Sequence, residues 1–277
     1  MTLHYANDIP YINDLEPELV NSWLEIDLNA IGENITYLKS LVPKSTKIMS
    51  VVKADAYGHG AIEVAFKAQD IKIVDYLGVA NIAEAKILRQ SGVYLPILVL
   101  GSTFDEQLHI ALKYNIETTI TSYSNIQSLE KIAKELKIKA KVHLKIDSGM
   151  GRVGIRPEKL EESLILLKKS ENIILIGVFT HFAESENINS NFTDQQINTF
   201  ENCLKIIKEY GFENFITHSA NSSATLICSK SHFDMVREGL AMYGIGDPEN
   251  EHLLSSLSLK SRIINIKEVP KGSSLGY

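Results

Sequence analysis

A chain of 277 residues, 44% hydrophobic and 22% charged, has the make-up of a globular protein with a large core. Its length suits one barrel-sized domain, or a large domain with a smaller companion. A formal charge of -6 argues against a nucleic-acid surface, and no uninterrupted apolar run approaches the roughly 18 residues of a membrane helix. The cysteines, Cys203 and Cys228, lack metal-like spacing and fit a reducing compartment. No charged-then-apolar leader opens the chain. A cytoplasmic protein without a metal or a membrane partner is expected.

Residues 1–22 read as an N-terminal extension. Beyond them short β-branched apolar runs recur: "KIMSVVKA", "YLGVA", "PILVLG", "IETTI", "KVHLKID", "IILIGVFTHF", "FITHSAN" and "FDMVREGL". Between them lie helix-period segments, such as Ile126, Leu129, Ala133 and Leu136, or Ile197, Phe200, Leu204 and Ile207. Thr103 with Glu106, and Thr193 with Gln196, have capping-box spacing. The basic stretch from Lys131 to Lys141 alternates with apolar residues and reads as a solvated helix face.

Eight near-continuous apolar strands alternating with helices favour a parallel sheet buried on both faces, and eight is the count that closes a (β/α)8 barrel. The alternative is a doubly wound open sheet. The barrel is expected over residues 23–250. From Glu251 the pattern changes to Ser-rich alternation, then "RIINIKEV" and a Pro-Lys-Gly turn. Residues 251–277 read as the opening strands of an antiparallel β domain that is incomplete here.

In such barrels function gathers at the carboxyl ends of the strands. There the sequence places Lys53 and Tyr57, Leu100, Lys145 with Arg152 beyond it, His181, His218 with Asn221 and Ser222, and Arg237 with Gly239. A lone lysine ending a strand could simply extend its stem to solvent. Lys53, however, shares its rim with two arginines and two histidines. An amine desolvated among cations loses pKa and becomes a nucleophile for a carbonyl. The loops "ANSSAT" and "REGLAMYG" follow the seventh and eighth strands, where barrels bind phosphate, and Ser222 and Gly239 can supply donors and close backbone approach there. Lysine, phosphate cup and basic rim together point to pyridoxal phosphate (PLP).

"VVKADAYGHG" resembles the PLP-lysine signature of the alanine racemase family. "EIDLNAIGENI", "PILVLG", "KIDSGMGRVG", "FTHFA", "HSANSSAT" and "VREGLAMYG" resemble further family segments, in the family's order. The resemblance runs from about Trp23 to the last residue and implies a (β/α)8 barrel that racemises an amino acid with PLP. It implies that Lys53 carries the cofactor and acts as base on one face of the substrate. Tyr57, Asn221, Ser222, Gly239 and Leu240 would hold the phosphate, the last two through backbone N–H groups. Leu100 would pack near the ring, and Arg152 would face the cofactor's phenolic oxygen and the substrate carboxylate. Lys145 matches a lysine often carbamylated in the family, which steadies that arginine. His181 would sit by the ring, and His218 would support Arg237, which faces the pyridine nitrogen. A guanidinium cannot protonate that nitrogen, which keeps the ring a weak electron sink and suits racemisation.

The resemblance further implies that Tyr277 is the second base and that active sites are shared across a homodimer, barrel of one subunit to β domain of the other. The implied reaction interconverts L- and D-alanine and supplies D-alanine for peptidoglycan. The alternatives are a serine racemase of the glycopeptide-resistance type, or a PLP-binding barrel that does not racemise. Gly151 and Glu238 depart from the commoner family wording, and Glu238 adds a negative charge beside the phosphate cup. A chain ending at Tyr277 is expected to be a poor enzyme by itself.

Overall fold

The computed structural model describes residues 20–246 and 252–276. In chain order they form β1 (Ser22–Ile26), α1 (Leu28–Ser40), β2 (Lys47–Val51), α2 (Lys53–Gly58), α3 (Ala61–Asp70), β3 (Tyr76–Val79), α4 (Ile82–Gln90), β4 (Ile97–Val99) and α5 (Asp105–Lys113). There follow β5 (Thr118–Ile120), α6 (Tyr123–Leu136), β6 (Ala140–Lys145), α7 (Leu160–Lys169), β7 (Ile173–Phe179), α8 (Phe192–Glu209), β8 (Ile216–His218), α9 (Ser222–Ile227), β9 (Met235–Glu238) and β10 (Leu257–Ser261). The chain divides into a large unit, Asp27–Ser256, and a small one built from the residues flanking it.

Every one of the eight apolar runs becomes a strand of the large unit. The strands are parallel, in the order β4-β3-β2-β9-β8-β7-β6-β5. The two outer strands also meet: Val99 N donates to Glu117 O at 3.0 Å and Glu117 N to Ile97 O at 2.9 Å. The sheet therefore closes, and the fold is a (β/α)8 barrel rather than an open sheet. Strands such as β3, β4 and β5 are buried along their whole length, because the barrel interior covers one face and helices cover the other. Met49, Tyr76, Leu98 and Met235 fill part of the interior.

The helices bury the faces expected of them. Ile126, Leu129 and Ala133 of α6 are buried, whereas the lysines from Lys131 to Lys141 are exposed. Ile197, Phe200, Cys203 and Ile207 of α8 are buried. The two expected capping boxes do not form. Helix α5 starts after Phe104 and α8 after Asn191, and the hydroxyls of Thr103 and Thr193 are buried without a hydrogen-bond partner. Tertiary packing took these side chains inward. Gln196 is likewise drawn in, where its amide donates to His181 O at 3.2 Å and accepts from Ala183 N at 3.0 Å.

In the small unit β1 and β10 pair antiparallel, from Ser22 opposite Ser261 to Ile26 opposite Leu257. The Ser-rich segment thus supplies the strand. "RIINIKEV", read above as a strand, forms none among the described residues, since an extended segment becomes a strand only against a ladder partner.

Candidate active site

A cavity of about 900 Å³ opens where β2, β6, β7 and β9 end. It is lined by Lys53, Tyr57, Leu100, Lys145, Arg152, His181, Asn221, Ser222, Arg237, Gly239 and Leu240, so residues distant in sequence come together at one rim. His218 lies beneath it, fully buried. Tyr277 lies outside the described residues.

The stretch after Lys53 has an unusual backbone. Ala54, Asp55, Ala56 and Tyr57 all hold left-handed helical angles, with φ between 52° and 54°. For L-residues each such position costs roughly 1–2 kcal/mol, so the turn persists only because its surroundings hold it. Glu84 accepts hydrogen bonds from Ala54 N at 3.2 Å and Ala80 N at 2.8 Å. Asp55 accepts from Ala61 N at 2.7 Å through its side chain and from Gly60 N at 3.1 Å through its carbonyl. Gly58 and Gly60, with φ of 88° and 86°, continue the turn where a side chain would be strained. The result folds Tyr57 back towards the lysine, with Lys53 Nζ 5.7 Å from its ring centre.

The cavity concentrates positive charge. Burial, then Arg152 and Arg237, lower the pKa of Lys53, against the pull of Glu84. Burial first, with Arg237 and Arg152, brings Lys145 down to about 8. Burial and the same cations hold His181 at about 3, so its ring is neutral. Arg237, lowered by burial to about 10, stays charged at neutral pH. Its Nη2 donates to Ser219 O at 2.9 Å and Thr180 O at 3.0 Å and lies 3.2 Å from His181 Nδ1, while Nη1 lies 3.2 Å from His218 Nδ1. Such a site favours an anionic ligand.

The same cavity is lined by Tyr57, Asn221, Ser222 and Gly239, the residues expected to hold a phosphate. Ser222 Oγ accepts hydrogen bonds from Gly239 N at 2.9 Å and Ala241 N at 3.2 Å. A Cβ at Gly239 would sit 3.2 Å from the Tyr57 hydroxyl, so the bare backbone lets Tyr57, Ser222 and an amide converge. Asn221 caps α9, accepting from Ala224 N at 3.0 Å and from Ser185 Oγ at 2.8 Å. Leu240 lines the cavity, but the second amide on Ser222 belongs to Ala241. Glu238 alternates with Arg237 along β9 and is wholly buried away from the cavity. Neither of its oxygens makes a hydrogen bond of good geometry, although the hydroxyls of Thr225 and Ser222 approach it. Burial pushes its carboxyl up to about 7, against smaller lowering by Thr225, Arg237 and Ser222 nearby.

Sequence reasoning missed Glu84, Gln196, His143 and Glu117. Gln196 carried a misleading capping signal, and the other three carried none.

A closed parallel barrel whose strand-end rim holds a desolvated amine among cations places the chain in the (β/α)8 class, with a rim suited to an anionic ligand. Comparison with known proteins narrows this. The profile of "Alanine racemase, N-terminal domain" matches residues 26–247. Alanine racemase 1 of Oceanobacillus iheyensis is 35% identical over 264 residues, covering 93% of this chain and 69% of that protein. Alanine racemase of Treponema denticola is 39% identical over 259 residues, covering 91% and 68%. The structure of Clostridium difficile 630 alanine racemase in complex with cycloserine superposes with a TM-score of 0.86 at 40% identity, covering 90% of this chain and 70% of that one. That of Bacillus anthracis alanine racemase with bound L-Ala-P gives 0.85 at 36% identity, covering 95% and 69%. The chain belongs to the alanine racemase family of isomerases.

Proposed function

We propose that this chain is the cofactor-binding part of a PLP-dependent racemase that interconverts L- and D-alanine. The observation that carries the reading is the amine of Lys53, desolvated among cations, in one cavity with Ser222 and Gly239. The residues present fit the group: an amine for its aldehyde, hydroxyl and amide donors for its phosphate, and a guanidinium for its ring nitrogen. When bound, PLP supplies an electron-withdrawing ring that acidifies the Cα–H of the substrate joined to it.

The chain's residues would divide the remaining work. Ser222, Tyr57 and the Gly239 amide hold the phosphate, with Asn221 fixing the loop and Leu240 closing it. Lys53 Nζ takes or returns the Cα proton on one face of the substrate. Arg237 donates a hydrogen bond to the ring nitrogen but keeps its proton, since even at about 10 its pKa stays well above neutral. Arg152 binds the substrate carboxylate, and Leu100 and His181 flank the ring. Lys145, with a pKa of about 8, is mostly protonated at neutral pH but keeps a fraction of uncharged amine that an ordinary lysine lacks. Carbamylation there would exchange a cation for an anion beside Arg152. The opposite face needs a second base, a role for which Tyr277, carried by a second copy of the chain in a homodimer, is the candidate. The product would serve peptidoglycan synthesis in the cytoplasm. Among the described residues no helix is long and apolar enough to cross a membrane.

Borohydride reduction of the protein with PLP, followed by peptide mapping, should place the pyridoxyl group on Lys53. Label on Lys145 or any other lysine would overturn the assignment. Exchange of the Cα proton should be faster with L-alanine than with L-serine; the reverse order would favour a serine racemase.

A further inference from the structure

Below Arg237 the barrel interior holds a continuous file of buried polar side chains from three strands and the residue that leads into a fourth. Arg237 Nη1 lies 3.2 Å from His218 Nδ1, His218 Nε2 lies 2.9 Å from His143 Nδ1, and His143 Nε2 lies 3.2 Å from Glu117 Oε2. His143 and His218 are 0% exposed, Arg237 4% and Glu117 6%. Arg237 and His218 stand near the carboxyl ends of β9 and β8, His143 lies midway along β6, and Glu117 precedes β5 at the opposite mouth. The file therefore runs from the cavity down through the barrel.

The chemistry of the groups fixes the direction of every bond. A guanidinium only donates, so His218 Nδ1 is an acceptor and carries no proton. The ring proton of His218 is then on Nε2 and is donated to His143 Nδ1. That leaves the proton of His143 on Nε2, aimed at Glu117. An ionised carboxylate only accepts, and the file ends there. Reversing any one bond would bring two N–H groups, or two lone pairs, face to face. The pKa of His218, held well below its usual range by burial and then by His143, Arg237 and Lys145, agrees with a neutral ring.

The backbone is shaped to admit this file. A Cβ at residue 177 would sit 2.0 Å from His143 Nδ1, so only Gly177 leaves room for the ring. The β6–β7 ladder shifts at the same place, with Val142 opposite Leu175 but His143 opposite Gly177. The extra residue re-aims the strand beside the ring.

We propose that Glu117 and His143 are positioning residues for Arg237: through them the carboxylate reinforces, from the far end of the file, the tautomer of His218 that accepts from Arg237, and so holds the guanidinium in the orientation that meets the cofactor ring. The proposal rests on the function given above for Arg237. Neither residue touches the cavity. Their contribution is directional, because Glu117 is the one member of the file that can only accept.

Long-range ¹⁵N–¹H NMR on the full chain without cofactor reads the tautomers directly. The expected result is a proton on Nε2 and none on Nδ1 for both His143 and His218. A proton on Nδ1 of His218 would overturn the proposal without any variant. Glu117→Gln supplies an amide that both donates and accepts, which removes the block on reversal at that end and leaves only Arg237 opposing it. A fraction of both histidines should then carry the proton on Nδ1, with the His218–Arg237 bond lost in that fraction. With PLP loaded, kcat for exchange of the Cα proton of L-alanine should fall on the order of tenfold with KM little changed, as for outer partners that orient a working group. Glu117→Asp, which keeps an acceptor-only end, should restore the single tautomer and most of kcat. Unchanged tautomers in Glu117→Gln, or shifted tautomers with unchanged kcat, would refute the role. Failure of Lys53 to take up PLP would instead remove the functional reading, and the NMR result would still decide whether the file is ordered as described.

Discussion

Arg237 and Glu238 are neighbours on β9, yet the two sides of the barrel wall treat them oppositely. On the inner side Arg237 joins His218, His143 and Glu117, and each link in the file has a partner within 3.2 Å. On the outer side Glu238 sits opposite Ser50 of β2, where the Ser50 hydroxyl has no partner and the carboxyl has only the nearby hydroxyls of Thr225 and Ser222, neither in well-formed hydrogen-bond geometry. Both clusters are buried, so burial alone does not explain the difference. What separates them is whether donors and acceptors come in matching sequence. A matched file keeps its charges and a defined geometry, whereas an orphaned carboxyl escapes the cost of desolvation by holding its proton.

The largest effect should come from breaking the matched side. His143→Leu would strand the Glu117 carboxylate and the Nε2–H of His218, and loss of one partner from a buried charged network typically costs about 3–5 kcal/mol. Urea unfolding of the variant should therefore show a much lower midpoint at an unchanged m-value. A midpoint within error of the parent would mean that the file adds nothing to stability.

The orphaned side should show itself through pH. Unfolded, the Glu238 carboxyl titrates near its ordinary 4.5; folded, it titrates at about 7. The folded state thus binds the extra proton between these values. Its contribution is complete below about pH 4.5 and is lost as pH rises through about 7, amounting to at most about 3 kcal/mol at roughly 1.4 kcal/mol per pH unit. Glu238→Gln, neutral throughout, should be more stable than the parent at pH 8 relative to pH 5. Parallel stability profiles for the two proteins would show that Glu238 is not protonated on folding. The smallest effect belongs to Ser50→Ala, which deletes a buried hydroxyl with no bond to lose. Its stability should change by less than about 1 kcal/mol, in the stabilising direction. A clear destabilisation would reveal a partner for that oxygen.

The barrel was legible because its strands are short, β-branched and separated by helix-period segments, a pattern that depends only on near neighbours. The rim residues were legible because strand ends in a barrel share one face, so Lys53, Arg152, Ser222 and Arg237 could be gathered before their distances were known. Glu117 and His143 were not. They lie inside runs that read as plain strand, and their meeting depends on closure, which brings residues 117, 143, 218 and 237 into one line. Gly177 carried the same information from the other side, but a glycine within a strand does not say which ring needs its space. The capping boxes failed for a related reason: Thr103 and Thr193 had the right local spacing, and packing claimed their side chains. Glu238 was visible as a charge near the cup, while its turn away from the cavity follows from the alternation of β9.

The pairing of β1 with β10 bears on the order in which this chain assembles. Its partners are separated by roughly 230 residues, and closing so long a loop from a disordered chain costs on the order of 5 kcal/mol in entropy. Five residues of exposed ladder cannot offset that by themselves. The barrel removes most of the cost, because Asp27 N donates to Ser256 O at 2.8 Å and brings its own two ends together. The strand pair therefore costs least to close once Asp27 and Ser256 have met.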